Sequence, residues 1–215
     1  MKSDSRLSMK IVFKTLLMIA LTIGSLHLFA QKNKSNITGA RQLFMDVHRL
    51  SPGKVKLNDV ANAHAKDLAV QEKYGVQFLK YWVNEKEGLI FCLVSAIDTE
   101  AIRQAHAEAH GLLPQRIYTM VAGTESALIG NKNLFLDIHY LGPGKVSAQD
   151  VAGAHQKDLA VQKKYGVNLT NYWVDEKEGV VMCLAEAKNA ASLTKTHKEA
   201  HGLVPNQVFK VTQGF

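Results

Sequence analysis

The strongest constraint on this chain is that most of it is written twice. "LFMDVHRLSPGKV" at Leu43 returns as "LFLDIHYLGPGKV" at Leu134, "AHAKDLAVQEKYGV" returns as "AHQKDLAVQKKYGV", and "YWVNEKEG" returns as "YWVDEKEG". The offset is constant: His139 minus His48, Cys183 minus Cys92 and His201 minus His110 all equal 91, and about half of the aligned positions are identical. Two copies of one domain follow, residues 43–121 and 134–211. The polar connection at 122–133 is of a length that leaves each copy free to fold as a unit.

Within one copy, "LFMDVHRL" alternates and is rich in strand formers, "SPG" breaks it, and "NDVANAHAKDLAVQEKYG" runs at helical spacing to a glycine stop. "FLKYWVNEK" and "GLIFCLVSA" read as two strands around a turn at Glu87-Gly88. "DTEAIRQAHAEAHG" reads as a helix with Asp98 or Thr99 as N-cap and Gly111 as C-cap, and "RIYTMV" closes as a strand. The order βαββαβ predicts an α+β chain of two tandem ferredoxin-like repeats, each with two helices on one face of a four-stranded antiparallel sheet. The uncovered face or edge of each sheet needs a partner, which predicts an internal pseudo-dimer or a homo-oligomer.

Ahead of the repeats, four basic residues flank or precede the apolar run "TLLMIALTIGSLHLFA", which ends at Ala30. Residues 1–30 are predicted to be a signal peptide, placing the protein in the periplasm or outside the cell; a membrane is involved only if the segment is retained as an anchor. Its removal leaves 22 of the 26 basic and 18 of the 19 acidic residues, a net of +4. That excess is mild, and no basic stripe with interleaved aromatics accompanies it, so nucleic acid is excluded as a partner.

Histidine is where the sequence turns to chemistry. Of the nine histidines, His27 lies in the N-terminal segment; the others are His48, His64, His106 and His110 and their counterparts His139, His155, His197 and His201. On the first helix Val60, His64, Asp67, Gln71 and Tyr74 fall close to one line, with Leu68 beside them, so the inward face is centred on polar groups that need partners or a ligand. The second copy keeps this set as His155, Asp158, Gln162 and Tyr165. Asp67, three residues after His64, is placed to hold the second nitrogen of that ring. His106 and His110, four apart near a helix end, can grip one transition metal, and Asp46 and His48 share a sheet face, as do Asp137 and His139. Such sets suit nickel, copper, zinc or iron alike. Plainer readings remain open: a core His64 satisfied by Asp67, a solvated helix end at His106 and His110, and a polar sheet face at Asp46 and His48. Cys92 and Cys183, at equivalent mid-strand positions, are expected to be buried thiols rather than a disulfide, with a thiolate ligand as the alternative. Trp82 and Trp173 read as core aromatics.

"FMDVH", "AHAKDLAVQEKYGV", "YWVNEKEGLIFCL" and "HAEAHGLLP" together resemble the small nickel-binding proteins of ferredoxin-like fold. The resemblance covers nearly all of each repeat. It implies a domain that dimerises and binds nickel, with no established catalytic activity, through His48, His64, His106 and His110 and their four counterparts. The chain differs from that family in its tandem fusion and its export signal. The expected function is therefore sequestration or delivery of a metal, nickel favoured over other divalent ions, outside the cytoplasm. Two rivals stand beside it. One is a small monooxygenase-like or isomerase-like enzyme using His64, Asp67, Tyr74 and Cys92 in a hollow between helices and sheet, for which a deep apolar pocket beside His64 is the mark. The other is a non-catalytic structural module.

Overall fold

The computed structural model describes residues 39–130 and 132–215, so the proposed signal peptide at 1–30 lies outside the described residues. Among the described residues no helix is long and apolar enough to cross a membrane. The first repeat runs β1 (Gln42–Arg49), α1 (Leu57–Tyr74), β2 (Gln77–Asn84), β3 (Leu89–Ala96), α2 (Thr99–Ala109) and β4 (Arg116–Ala122). The second runs β5 (Asn133–Tyr140), α3 (Ala148–Val161), a short 3-10 turn (Gln162–Tyr165), β6 (Asn168–Asp175), β7 (Val180–Ala187), α4 (Ala190–Ala200) and β8 (Gln207–Gly214). Both repeats are βαββαβ, as the sequence predicts.

The local reasons are visible at the helix ends. Asp98 caps α2 by accepting a hydrogen bond from Ala101 N, and its counterpart Asn189 accepts from Ser192 N, satisfying amides that the helix itself leaves free. At the other end the observed cap is His110, with Gly111 the next residue at φ 77°; glycine accepts that left-handed turn, but it stands one place beyond the observed cap, whereas the sequence predicts it at the cap.

Alternation along each strand divides the molecule into three cores. In β1, Phe44 joins Val60, Phe78 and Ile102 between helices and sheet, whereas Met45 faces the opposite side with Trp82, Phe91 and Leu136. A third cluster, around Phe135, Leu169 and Leu193, repeats the first beneath α3 and α4. The middle cluster draws on both repeats and holds Trp82 and Trp173 with ring centroids 5.2 Å apart. Each fully buried large side chain there contributes about 1.5–3 kcal/mol.

That shared core exists because the two sheets close on each other. All pairings are antiparallel, in the order β1-β3-β2-β8-β5-β7-β6-β4 around a closed eight-stranded barrel, with seams at β2–β8 and β4–β6. The pairing anticipated for the uncovered faces is thus made within one chain. At each seam a glycine admits a tyrosine: a Cβ on Gly214 would lie 2.1 Å from the Tyr81 ring, and one on Gly123 would lie 1.9 Å from the Tyr172 ring.

The connection between repeats is held in place by backbone hydrogen bonds. Gly123 N and Ser126 N donate to Tyr172 O and Thr170 O, and Ile129 N and Gly130 N donate to the buried carboxylate of Glu186, both at 2.6 Å. Its backbone amides find partners on the second repeat, so the segment is anchored to that repeat's surface.

Candidate metal centre

β1 presents Asp46 and His48 toward the helices, and β3 brings Cys92 opposite Asp46 in register. α1 contributes His64 and Asp67, and α2 contributes His106 and His110. Asp46 is fully buried, as are His106 (1% exposed) and Asp67 (4%), so each needs a partner or a ligand.

His106 sits between two carboxylates. Its Nε2 lies 3.1 Å from Asp46 Oδ2, and its Nδ1 lies 3.0 Å from Asp67 Oδ1. Burial alone would lower its pKa, but the hydrogen bonds to Asp46 and Asp67 overcome that and raise it to about 9. Burial would raise Asp46, and the hydrogen bond from His106 together with the close His48 imidazole instead holds it at about 2. Asp67 is lowered in the same way: burial opposes it, and the bonds from His106 and His110 prevail. In the metal-free state His106 is an imidazolium bridging two carboxylates.

His110 completes a triangle. Its Nε2 lies 3.1 Å from His106 Nδ1 and 3.2 Å from Asp67 Oδ1, while its Nδ1 accepts a hydrogen bond from Leu112 N at 3.1 Å. Edges of 3.0, 3.1 and 3.2 Å bring two imidazole nitrogens and one carboxylate oxygen close enough together to share one ion. Two imidazoles and one carboxylate on one triangular face leave further positions open to other ligands.

A second group, Asp46, His48 and Cys92, lies deeper. Its ligand atoms also converge within 4.8 Å. His48 Nε2 approaches Asp46 Oδ1 to 3.1 Å without the alignment of a hydrogen bond, so Asp46 Oδ1 and His48 Nδ1 are both buried with no hydrogen-bond partner. Burial, then the carboxylates of Asp46 and Asp67, push the Cys92 thiol well up, which keeps its proton on and makes it a poor ligand. Cys92 and Cys183 are free, buried thiols, as expected.

The second repeat reproduces the plan. His197 spans Asp137 and Asp158 at 3.2 and 3.0 Å and has its pKa raised to about 10, those carboxylates outweighing the effect of burial; His201 Nε2 lies 3.3 Å from Asp158 Oδ2. Here His197 also converges with Asp137, His139 and Cys183. Asp137 Oδ1 is again buried without a hydrogen-bond partner.

Three expectations from sequence need correction. Asp67 does not hold His64: it turns across to α2 and binds His106 and His110, because the packing of α1 on α2 offers two imidazoles nearer than its own-helix neighbour. His64 belongs to none of the converging groups; it lies edge-on to Phe78 and tilted over Tyr81, as His155 lies over Tyr172. Gln71 and Tyr74 leave the site. Gln71 Oε1 accepts from Phe78 N, as Gln162 Oε1 accepts from Leu169 N, and Tyr74 and Tyr165 donate to Glu108 and Glu199 at the surface. Leu68, placed by spacing beside the inward line, is 41% exposed. Tyr81 and Tyr172, which the sequence reading did not single out, line the site from β2 and β6; their alternation with Trp82 and Trp173 is the signal that could have located them.

Beside the triangle opens a cavity of about 300 Å³ between α1 and the sheet, walled by Leu50, Val55, Val60, Ala63 and Ile90 and reached by His64, Cys92, His106 and His110. The equivalent cavity in the second repeat measures about 80 Å³.

Comparison with known proteins follows the same repeat. The family model described as "Nickel responsive protein SCO4226-like" matches residues 44–120 and again 135–211. Among solved structures, SCO4226 from Streptomyces coelicolor A3(2) is 30% identical over 36% of this chain and 93% of its own, with a TM-score of 0.34. A variant chlorite dismutase from Candidatus Nitrospira defluvii is 10% identical over 83% of this chain and 92% of its own, with a TM-score of 0.49. A heme-binding protein from Thermus thermophilus is 11% identical over 80% of this chain and 92% of its own, with a TM-score of 0.41. No curated protein sequence matches this chain.

Proposed function

The chain belongs to the SCO4226-like family of nickel-responsive proteins, and on that premise we propose that it sequesters or delivers a divalent metal, nickel favoured, through Asp67, His106 and His110 in the first repeat and Asp158, His197 and His201 in the second. The observation that carries this reading is the triangle of ligand atoms with edges of 3.0, 3.1 and 3.2 Å. Its imidazole and carboxylate donors suit nickel among the divalent transition metals. Asp46, His48 and Cys92 lie behind it: Asp46 orients His106 from the far side of the ring, and Cys92 stands opposite Asp46 in register on β3 with its thiol proton retained.

In the metal-free state the bridging imidazolium supplies the positive charge between Asp46 and Asp67. To ligate, His106 gives up the Nδ1 proton that Asp67 now accepts, so metal uptake releases protons and weakens as pH falls. His110 must also change. Its Nδ1 accepts from Leu112 N, which leaves the ring proton on Nε2; ligation through Nε2 moves that proton to Nδ1 and deprives Leu112 of its acceptor. What supports an exported role is the apolar run ending at Ala30, which would place this exchange outside the cytoplasm.

Nickel titration by calorimetry, on wild type and on a His106→Ala/His110→Ala variant, tests the reading. The expected result is saturable binding that the variant loses from its tighter site; micromolar or weaker binding in both proteins would sink it. A second reading, an enzyme, is favoured by the cavity beside His64, since two histidines and a carboxylate on one face with open positions also suit non-haem iron. Loading with ferrous iron and recording a perturbed spectrum on exposure to dioxygen would support it.

A further inference from the structure

Of the eight histidines in the described repeats, His64 and His155 stand outside every converging group, and His64 also lines a cavity that an ion alone would not fill. It is 6% exposed, lines that cavity, and packs its ring against Phe78 and Tyr81. The cavity is about 300 Å³. An engineered protein cavity of about 150 Å³ accommodates benzene, so this one has room for a bicyclic molecule.

We propose that the first-repeat cavity binds a small, largely apolar organic molecule with a single hydroxyl group, its body against Val55, Val60, Ala63 and Ile90 and its hydroxyl on His64. A neutral imidazole offers one donor and one acceptor, the complement of a hydroxyl. Asp59 and Asp67 also line the cavity, with Lys54 beside them, so its charged groups do not favour an anionic head outright. The second repeat has room for a water or an ion but not for such a molecule, at about 80 Å³, so one molecule binds per chain. The lining side chains of the two cavities are nearly the same, with Val181 in place of Ile90, a smaller residue in the smaller cavity. The inference stands on the cavity and His64, and does not require an ion to be bound.

The test uses 2-naphthol as the probe, followed by its fluorescence and by methyl shifts in NMR spectra, with the full repeat region and a parallel nickel titration. One saturable site per chain is expected, with shifts at Val60 and Ile90 and none at Val151 and Val181. Ala63→Phe, which fills the cavity, should abolish binding while nickel uptake persists, and Ala154→Phe should leave it unchanged. His64→Phe should weaken binding by about tenfold. Three results would overturn the proposal: no saturable binding to the solubility limit, binding indifferent to both Ala63→Phe and His64→Phe, or equal shifts in the two repeats. Loss of nickel binding in His64→Phe would make His64 an ion ligand, which also overturns it and leaves the metal reading intact. Naphthol binding without nickel binding would fail the metal reading alone.

Discussion

In the first repeat His106 Nδ1 lies 3.1 Å from His110 Nε2 and the neighbouring cavity is about 300 Å³; in the second, His197 and His201 make no such contact, their ring centroids stand 5.4 Å apart rather than 5.1 Å, and the cavity is about 80 Å³. The ligand-type residues are identical. What differs is the frame: α1 runs unbroken from Leu57 to Tyr74, whereas α3 stops at Val161 and passes into a 3-10 turn. One linker also serves two repeats, so Glu186 is a buried acceptor for its amides where the first repeat has Ser95. Duplicated chemistry on unequal frames predicts one tighter and one weaker metal site.

The largest effect expected is on stability. Replacing His106 by alanine strands the buried Asp46 and Asp67 without their shared cation and should cost about 3–5 kcal/mol in chemical denaturation; His197→Ala should cost as much. Only the first variant should lose the tighter nickel site, and equal losses from both would break the distinction between the repeats.

Next in size is the response to pH. His106 and His197 have folded pKa values raised to about 9 and about 10 from a reference of 6.5. A raised pKa stabilises the fold fully below about 6.5, and that stabilisation is lost as pH rises through the folded values. The melting temperature of the metal-free protein should therefore fall by several degrees between pH ~6.5 and ~10, and His106→Asn should remove the earlier part of the decline.

The seams give a smaller and symmetric effect. Gly214→Ala and Gly123→Ala each drive a Cβ into a tyrosine ring on the adjacent strand across the seam and should cost about 1–3 kcal/mol apiece by thermal unfolding. A cost at one seam alone would mean the barrel is held mainly at that side. Smallest is the signal of tautomer change: on adding nickel, the amide of Leu112 should shift in NMR spectra at lower metal concentration than that of Leu203, because both donate to a histidine that must reverse its ring proton.

Much of this was readable before any coordinates. The βαββαβ order, the need of each repeat for a partner, the buried thiols and the placement of Asp46 with His48 all follow from periodicity and from the duplication, whereas pairing within one chain rather than between chains did not. Asp67 was found but paired with the wrong histidine. Spacing along one helix reports only neighbours three or four residues away, while its true partners, His106 and His110, lie 39 and 43 residues on and are reached by helix packing. Gln71 and Tyr74 share the helical line of His64, yet that line runs past the end of the site, so they bind Phe78 N and Glu108 instead. The anchoring of residues 123–130 was invisible because it depends on the second repeat's edge rather than on local sequence.

The measurement that bears most directly on the central claim is a nickel K-edge absorption spectrum of the nickel-loaded chain. Ligation by Asp67, His106 and His110 predicts a first shell of nitrogen and oxygen only, with the outer-shell pattern of imidazole. A sulfur shell would move the ion to Asp46, His48 and Cys92, and a spectrum of hydrated nickel without imidazole would mean that the duplicated histidines do not hold it at all.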